Sequence, residues 1–419
     1  MERAELAKLL GGRGGGTVPD VAARIVYETE PRRFMTEFAA AVASGAAVFV
    51  GDPTWGIKQR AEFEEIVAGA QRRGLGAGER EHGWLMIPSG GTSGSLKFAR
   101  HDGWTLSAAV RGFTAHFGLT RVRAVNVLPL HHVSGLMAWM RCVLTGGAFT
   151  SVNWKRLEGG ERPEMRGGNW VISLVPTQLQ RLLPDVAAVE WLRRFAVILV
   201  GGGPVWPELA ERAAAARLSV ALSYGMTETA AMVTALLPAE FLAGARNSGR
   251  ALPQVQVTID AEERIRVEGP SLFRGYWPGW TDAEQFVTED TGRIDEHGYL
   301  QVWGRRDAMI ITGGKKVQPA DVEAALRASG EFEDVAVIGV PDPEWGEGVV
   351  ACYPARADGH RPNVDRAGAA LAPFQRPKRY VAVAIAEWPR NPQGKVNRQA
   401  LRAAIAAERP ALLSRGMEG

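Results

Sequence analysis

The 419-residue sequence predicts an α/β protein. A large N-terminal domain of doubly wound sheets, with a β-subdomain, precedes a small mobile α+β C-terminal domain. Three observations carry this reading. The chain is too long for one compact core. Its middle alternates apolar β-rich runs with helical patterns, as in sheets covered on both faces. Later segments alternate with period two, which suits an antiparallel sheet with one wet face.

The elements follow in chain order. "AVFVGDP" is a strand ending in a turn, and "RAVNVLPL" is another. "NWVISLVPTQLQRLL" is a strand and then a helix. "FAVILVGGGPVWPELAERAAAA" is a buried strand, a glycine turn and a helix with Pro207 in its first turn. "LSVALSYGMTE" adds one more strand. In such a sheet, ligands bind at the carboxyl ends of the strands. "PQVQVTID" and "ERIRVEGPSLFRGYW" form the β-subdomain. "GYLQVWGRRDAMIITGGKKVQPADVEAAL" reads as a domain junction, which divides the chain into residues 1–306 and 307–419. Pro319 starts a helix just beyond it, and "DVAVIGVPDPEWGEGVVACYPA" and "RYVAVAIAEWP" complete the small domain.

Composition narrows the function classes. Apolar residues are 46%, charged residues 23% and the net charge +3, ordinary values for a soluble globular protein. Arginines number 41 against eight lysines, and they are interleaved with acids and alanines. That pattern is solvated surface, so no nucleic acid is expected as partner. Cys142 and Cys352 sit in apolar runs and read as core residues of a reducing compartment. The N-terminus lacks the apolar stretch of a signal peptide, and no run spans a bilayer. A cytoplasmic location is expected. The sequence leaves the oligomeric state open, with a homodimer compatible.

Several segments carry candidate chemistry. "PSGGTSGSLKFARH", residues 88–101, offers backbone N–H groups, the Ser89, Thr92 and Ser93 hydroxyls and the Lys97 ammonium as an anion cradle. It fails the Walker pattern, because no glycine precedes Lys97 and Phe98 follows it. A plain surface loop is an equal alternative. In "VGGGPVW", Gly202 and Gly203 let a flat ring approach the backbone, or simply make a tight turn. In "SYGMTET", Tyr224 offers a flat face, Thr227 a hydroxyl and Glu228 a carboxylate for Mg²⁺. The alternative there is a helix cap. The segment after Gly135 is apolar on every side, so it is a buried helix, yet Arg141 lies in it. A buried guanidinium needs an internal acid, a route to the surface or an anionic ligand. Of His131 and His132, one is a packed histidine and the other lines the substrate pocket. "PRNPQGKVNR" presents Lys395 on a Pro/Gly turn, either solvated or delivered to a reaction centre.

In this order the segments resemble the adenylate-forming superfamily of acyl-CoA synthetases, adenylation domains and luciferases, from about residue 85 to the end. "SGGTSGSLK" is similar to its phosphate loop, with Leu96 where proline is usual, a change expected to loosen the loop. "YGMTE", including Gly225, is similar to its adenine and magnesium motif. "FVTEDTGRIDEHGYLQVWGRRD" resembles its ribose and hinge segment. The usual TGDLG stands here as Thr288-Glu289-Asp290-Thr291-Gly292. The resemblance implies Asp290 at the ribose hydroxyls, Arg305 as its support and Asp307 as hinge. It implies the Gly313–Gly314 segment along the coenzyme A path, and Lys395 as the catalytic lysine. The stretch before the phosphate loop is short for the superfamily.

"LPLHHVSGLMAWMR" and "SLVPTQLQRLL" look most like the o-succinylbenzoyl-CoA synthetases of menaquinone and phylloquinone synthesis. That likeness implies an aromatic dicarboxylate substrate, with His132 as gate, Thr177 in the pocket and Arg141 anchoring the second carboxylate. The implied reaction consumes ATP with Mg²⁺ and then coenzyme A, releasing pyrophosphate and AMP. The alternatives are another AMP-forming acid–CoA ligase and a non-catalytic nucleotide-binding homologue.

Overall fold

The computed structural model describes the chain except residues 12–21, 75, 90–94, 282–283, 356–360, 391–395 and 414–419. Among the described residues, four sheets follow one another along the chain. In the first, Ala23–Val26, Ala47–Val50 and Leu85–Ser89 run parallel, and Lys97–His101 returns antiparallel to Leu85–Ser89. The second places Phe149–Ser151, Arg123–Asn126, Trp170–Leu174, Val197–Val200 and Val220–Met226 side by side, all parallel. Ala231–Ala235 and Arg250–Ala251 extend it antiparallel.

Local chemistry sets these elements. Asp102 caps the helix Gly103–Phe117 by accepting from the N–H groups of Trp104 and Thr105, and left-handed Gly118 ends it. Pro207 opens the helix Pro207–Ala215. The helix Val133–Thr145 lies between the first two sheets. Its Leu136, Met137 and Met140 pack with Val48, Val50 and Ile87, while its Cys142 packs with Val122, Ala124 and Val171. That double burial explains an apolar pattern on every side. Each such side chain contributes about 1.5–3 kcal/mol.

The third sheet is an antiparallel meander of Gln256–Ile259, Arg264–Glu268, Gln285–Ile294 and Leu300–Arg305. The turn Arg306–Ala308 leads to a fourth sheet built from Ile310–Thr312, Lys315–Val317, Ala336–Asp342, Gly346–Pro354 and Arg379–Val383. The helices Pro319–Ala328 and Val364–Gly368 pack together on it, and Leu401 and Ile405 of Arg398–Leu413 join its other core. Among the described residues no helix is long and apolar enough to cross a membrane.

The expected loosening falls on residues 90–94, which lie outside the described residues; Leu96 itself is anchored. Its N–H donates to Glu62 Oε1 at 2.9 Å, a bond that proline could not make. Its side chain packs against the cluster of Phe49, Phe63 and Phe98.

Candidate active site

Parallel pairing brings the carboxyl ends of five strands of the second sheet to one edge. The chain leaves Asn126 toward His131 and His132, leaves Leu174 toward Thr177, and leaves Val200 toward Gly202 and Gly203. Past Met226 it forms the short turn Thr227–Thr229. Candidates far apart in sequence therefore share one rim.

The flanks of the phosphate-loop candidate meet there too. Ser89 and Lys97 are direct partners across the hairpin. Thr92 and Ser93 lie outside the described residues, as does Lys395. Glu228 is buried and receives two hydroxyls: Ser89 Oγ donates to its Oε1 at 2.5 Å, and Tyr276 OH donates to the same oxygen at 2.7 Å. Its Oε2 accepts no hydrogen bond from a described residue. A carboxylate with one oxygen held and one available fits an Mg²⁺ ligand, since Mg²⁺ takes oxygen donors and few carboxylates. Tyr276 carried no signal in the sequence beyond its place in "RGYW". His101 braces the turn, with Nε2 2.7 Å from the Thr227 carbonyl and Nδ1 3.0 Å from Thr105 Oγ1.

Tyr224 OH donates to Asp290 Oδ2 at 2.8 Å. Burial, and then the adjacent Asp290 carboxylate, push its pKa well above the ordinary value, so it stays a donor. Asp290 and Arg305 are cross-strand partners. The retained Thr288 and the altered Thr291 both have local work: Thr288 Oγ1 accepts from the Asp290 N–H at 3.1 Å, and Thr291 Oγ1 donates to the Gly304 carbonyl at 3.1 Å. Gly225 answers to its neighbouring strand. A Cβ there would lie 2.0 Å from the Ala231 carbonyl oxygen. Gly202 takes φ +77°, and a Cβ at Gly203 would meet open space.

His131 is buried and His132 half-buried, with ring centroids 4.5 Å apart. Both face Asp52, at 3.2 Å from His131 Nε2 to Oδ1 and 3.7 Å from His132 Nε2 to Oδ2. Thr54 donates to Asp52 Oδ1 from its N–H at 2.8 Å and its hydroxyl at 2.7 Å. Burial opposes ionisation of Asp52, but the bonds from His131 and Thr54 outweigh it and hold the carboxyl well below the usual range. These three side chains could surround a small cation. Two imidazoles to one carboxylate suit a transition metal better than Mg²⁺, which takes oxygen donors. Sequence reasoning missed Asp52, whose partners lie far along the chain.

Arg141 is 4% exposed, with its guanidinium 4.2 Å from the centroid of the Phe113 ring. No described acid pairs with it, and its Nε is buried without a partner. Burial pushes its pKa down to about 10. The gap beside it is lined by Val122, Ala124, Val125, Ala138, Val171 and Ser173, and is too narrow for water. Thr177 is half-buried in the first turn of Pro176–Leu182.

Gly313 and Gly314 form a hairpin tip with φ +55° and +75°, conformations that favour glycine. A Cβ on Gly313 would sit 2.8 Å from the Trp345 ring. Asp307 lies in the turn between the third and fourth sheets.

The arrangement brings Ser89, Glu228 and Tyr276 together at that rim, and joins Tyr224 to Asp290 of the third sheet. The chain belongs to the AMP-binding enzyme family, which matches residues 20–277, and the family's C-terminal domain matches residues 321–395. Family likeness thus begins well ahead of the phosphate loop. A 2-succinylbenzoate–CoA ligase of Geobacillus sp. is 30% identical over 302 residues, 66% of this chain and 60% of that protein. The ligase of that name from Oceanobacillus iheyensis is 32% identical over 341 residues, 76% of this chain and 69% of the relative. In fold the chain is similar to the o-succinylbenzoate CoA synthetase of Bacillus subtilis solved with its acyl-adenylate. The TM-score is 0.75 at 22% identity, over 96% of this chain and 91% of that one. The matched stretch is less than two thirds of the Geobacillus relative's length.

Proposed function

We propose that the protein is an AMP-forming 2-succinylbenzoate–CoA ligase of menaquinone or phylloquinone biosynthesis. It would join the substrate carboxylate to AMP, release pyrophosphate, and then pass the acyl group to the coenzyme A thiol. The named relatives support the acid and the thiol. The observation that carries the choice of a dicarboxylate is Arg141, a buried guanidinium with no acid partner among the described residues. Such a charge is costly unless an anion meets it, and the second carboxylate of the substrate would do so. Its entry requires the gap between Arg141 and Ser173 to widen.

In the first half-reaction, Thr92, Ser93 and Lys97 hold the β- and γ-phosphates, with Ser89 at the entry to the loop bonded to Glu228. Glu228 holds Mg²⁺, which offsets phosphate charge when bound. Asp290, with Arg305, takes the ribose hydroxyls. The adenine lies between Tyr224 and the edge of Gly202 and Gly203, where no Cβ intrudes. Lys395 bridges the carboxylate and the α-phosphate and stabilises charge as the pyrophosphate leaves in line. Residues 307–419 then rotate about Asp307. Lys395 withdraws, Gly313 and Gly314 line the thiol path, and His132 gates the acyl group, with Thr177 beside it.

A panel of acids assayed for pyrophosphate release tests this. 2-Succinylbenzoate should exceed benzoate-like monoacids by a large factor. A monoacid preference would support the second reading, another aryl acid–CoA ligase, which the apolar lining beside Arg141 favours. ATP binding with no pyrophosphate release from any acid would leave a non-catalytic homologue.

A further inference from the structure

We propose that Tyr276 and Ser89 are positioning residues that clamp one oxygen of Glu228, so that the other is presented singly to the divalent cation. This rests on the reading of Glu228 as the metal ligand. Both hydroxyls converge on Oε1, at 2.5 Å from Ser89 and 2.7 Å from Tyr276, and Oε2 takes no bond from a described residue. Glu228 is only 6% exposed, so its carboxylate has little freedom to turn.

The clamp suits Mg²⁺ for two physical reasons. Mg²⁺ requires near-octahedral geometry and binds through one or two carboxylates plus phosphate oxygens, so a fixed single oxygen lowers the ordering cost. Hydroxyl donors are also neutral. A lysine or arginine in their place would cancel the charge that attracts the cation. Burial, and then the Glu228 charge, push the Tyr276 hydroxyl pKa upward, so it remains a donor.

Tyr276 is itself held. It forms an isolated bridge with Ala99, and its ring lies 4.9 Å from that of Phe273. Lys97 Nζ stands 5.7 Å from the ring centroid. One side chain therefore joins the metal carboxylate to the phosphate-loop lysine. Ser89 ends the strand that enters the loop, so it ties the other flank to the same oxygen.

The test uses Mn²⁺, read by electron paramagnetic resonance, titrated into the full chain with the unreactive nucleotide α,β-methylene-ATP. Loss of one of two hydrogen bonds to a charged group should weaken Mn²⁺ binding about three- to tenfold in Tyr276→Phe. Ser89→Ala should act in the same direction, and Glu228→Gln should do more damage than either. Nucleotide affinity without metal should stay unchanged in Tyr276→Phe. If Glu228→Gln weakens Mn²⁺ binding and Tyr276→Phe does not, the clamp is overturned while the Glu228 reading stands. Unaltered Mn²⁺ binding in Glu228→Gln would overturn the ligand reading itself. If Tyr276→Phe weakens metal-free nucleotide binding and Mn²⁺ binding equally, Tyr276 is a packing residue.

Discussion

Replacing Arg141 by methionine should make the free protein more stable while impairing it toward a dicarboxylate. Holding a guanidinium of ordinary pKa 12.5 down at about 10 corresponds to about 3 kcal/mol of lost solvation, at about 1.36 kcal/mol per tenfold in proton affinity. The stack on Phe113 at 4.2 Å returns about 1–2 kcal/mol. Methionine keeps most of the stem and adds no charge. The net gain is then about 1–2 kcal/mol, a rise of about 2–4 °C in the melting of the large domain. The folded-state pKa lies below the unfolded one, so the cost is fully present below pH 10 and relieved only as pH rises through 10 to 12.5. From pH 6 to 9 both states are protonated, and the gain should not vary. Calorimetry without ligand and pyrophosphate release with di- and monocarboxylates check this together. A variant that melts lower and loses both acids alike would refute the reasoning and make Arg141 a structural residue.

Lys395→Ala should abolish pyrophosphate formation but retain thioester formation from preformed acyl-adenylate; equal loss of both would contradict domain alternation. Asp52→Asn keeps an acceptor oxygen but removes the charge that Thr54 and His131 face, and should cost about 1–3 kcal/mol at pH 7. The Asp52 carboxyl pKa is depressed in the fold, so this cost should shrink as pH falls below about 4, as melting curves at several pH values would record. In Gly225→Ala a Cβ would lie 2.0 Å from the Ala231 carbonyl oxygen, forcing the strand pair apart and costing about 2 kcal/mol or more. Melting measured without nucleotide separates this backbone effect from one confined to ATP binding.

Much of the fold was legible because its signals are local. Apolar runs such as "FAVILV" gave the central strand, and Pro207 and Pro319 marked helix starts where the structure has them. The all-apolar helix was legible from composition, but the two sheets that enclose it were not. Asp52 looks like a turn residue until folding sets it against His131 and His132. Tyr276 looks like a strand aromatic until its hydroxyl meets Glu228. Gly225 drew attention through its motif, yet the backbone of Ala231 explains why it is glycine.

The sequence by itself determined the alternation of strands and helices, the ordered motifs and the odd buried arginine, because periodicity and residue type act over a few neighbours. Only the tertiary structure decided which oxygen of Glu228 is held, what faces His132 and that Arg141 meets an aromatic ring and, among the described residues, no acid. Those are contacts between residues tens to hundreds of positions apart. Their geometry comes from sheet pairing and helix packing, which no local pattern encodes.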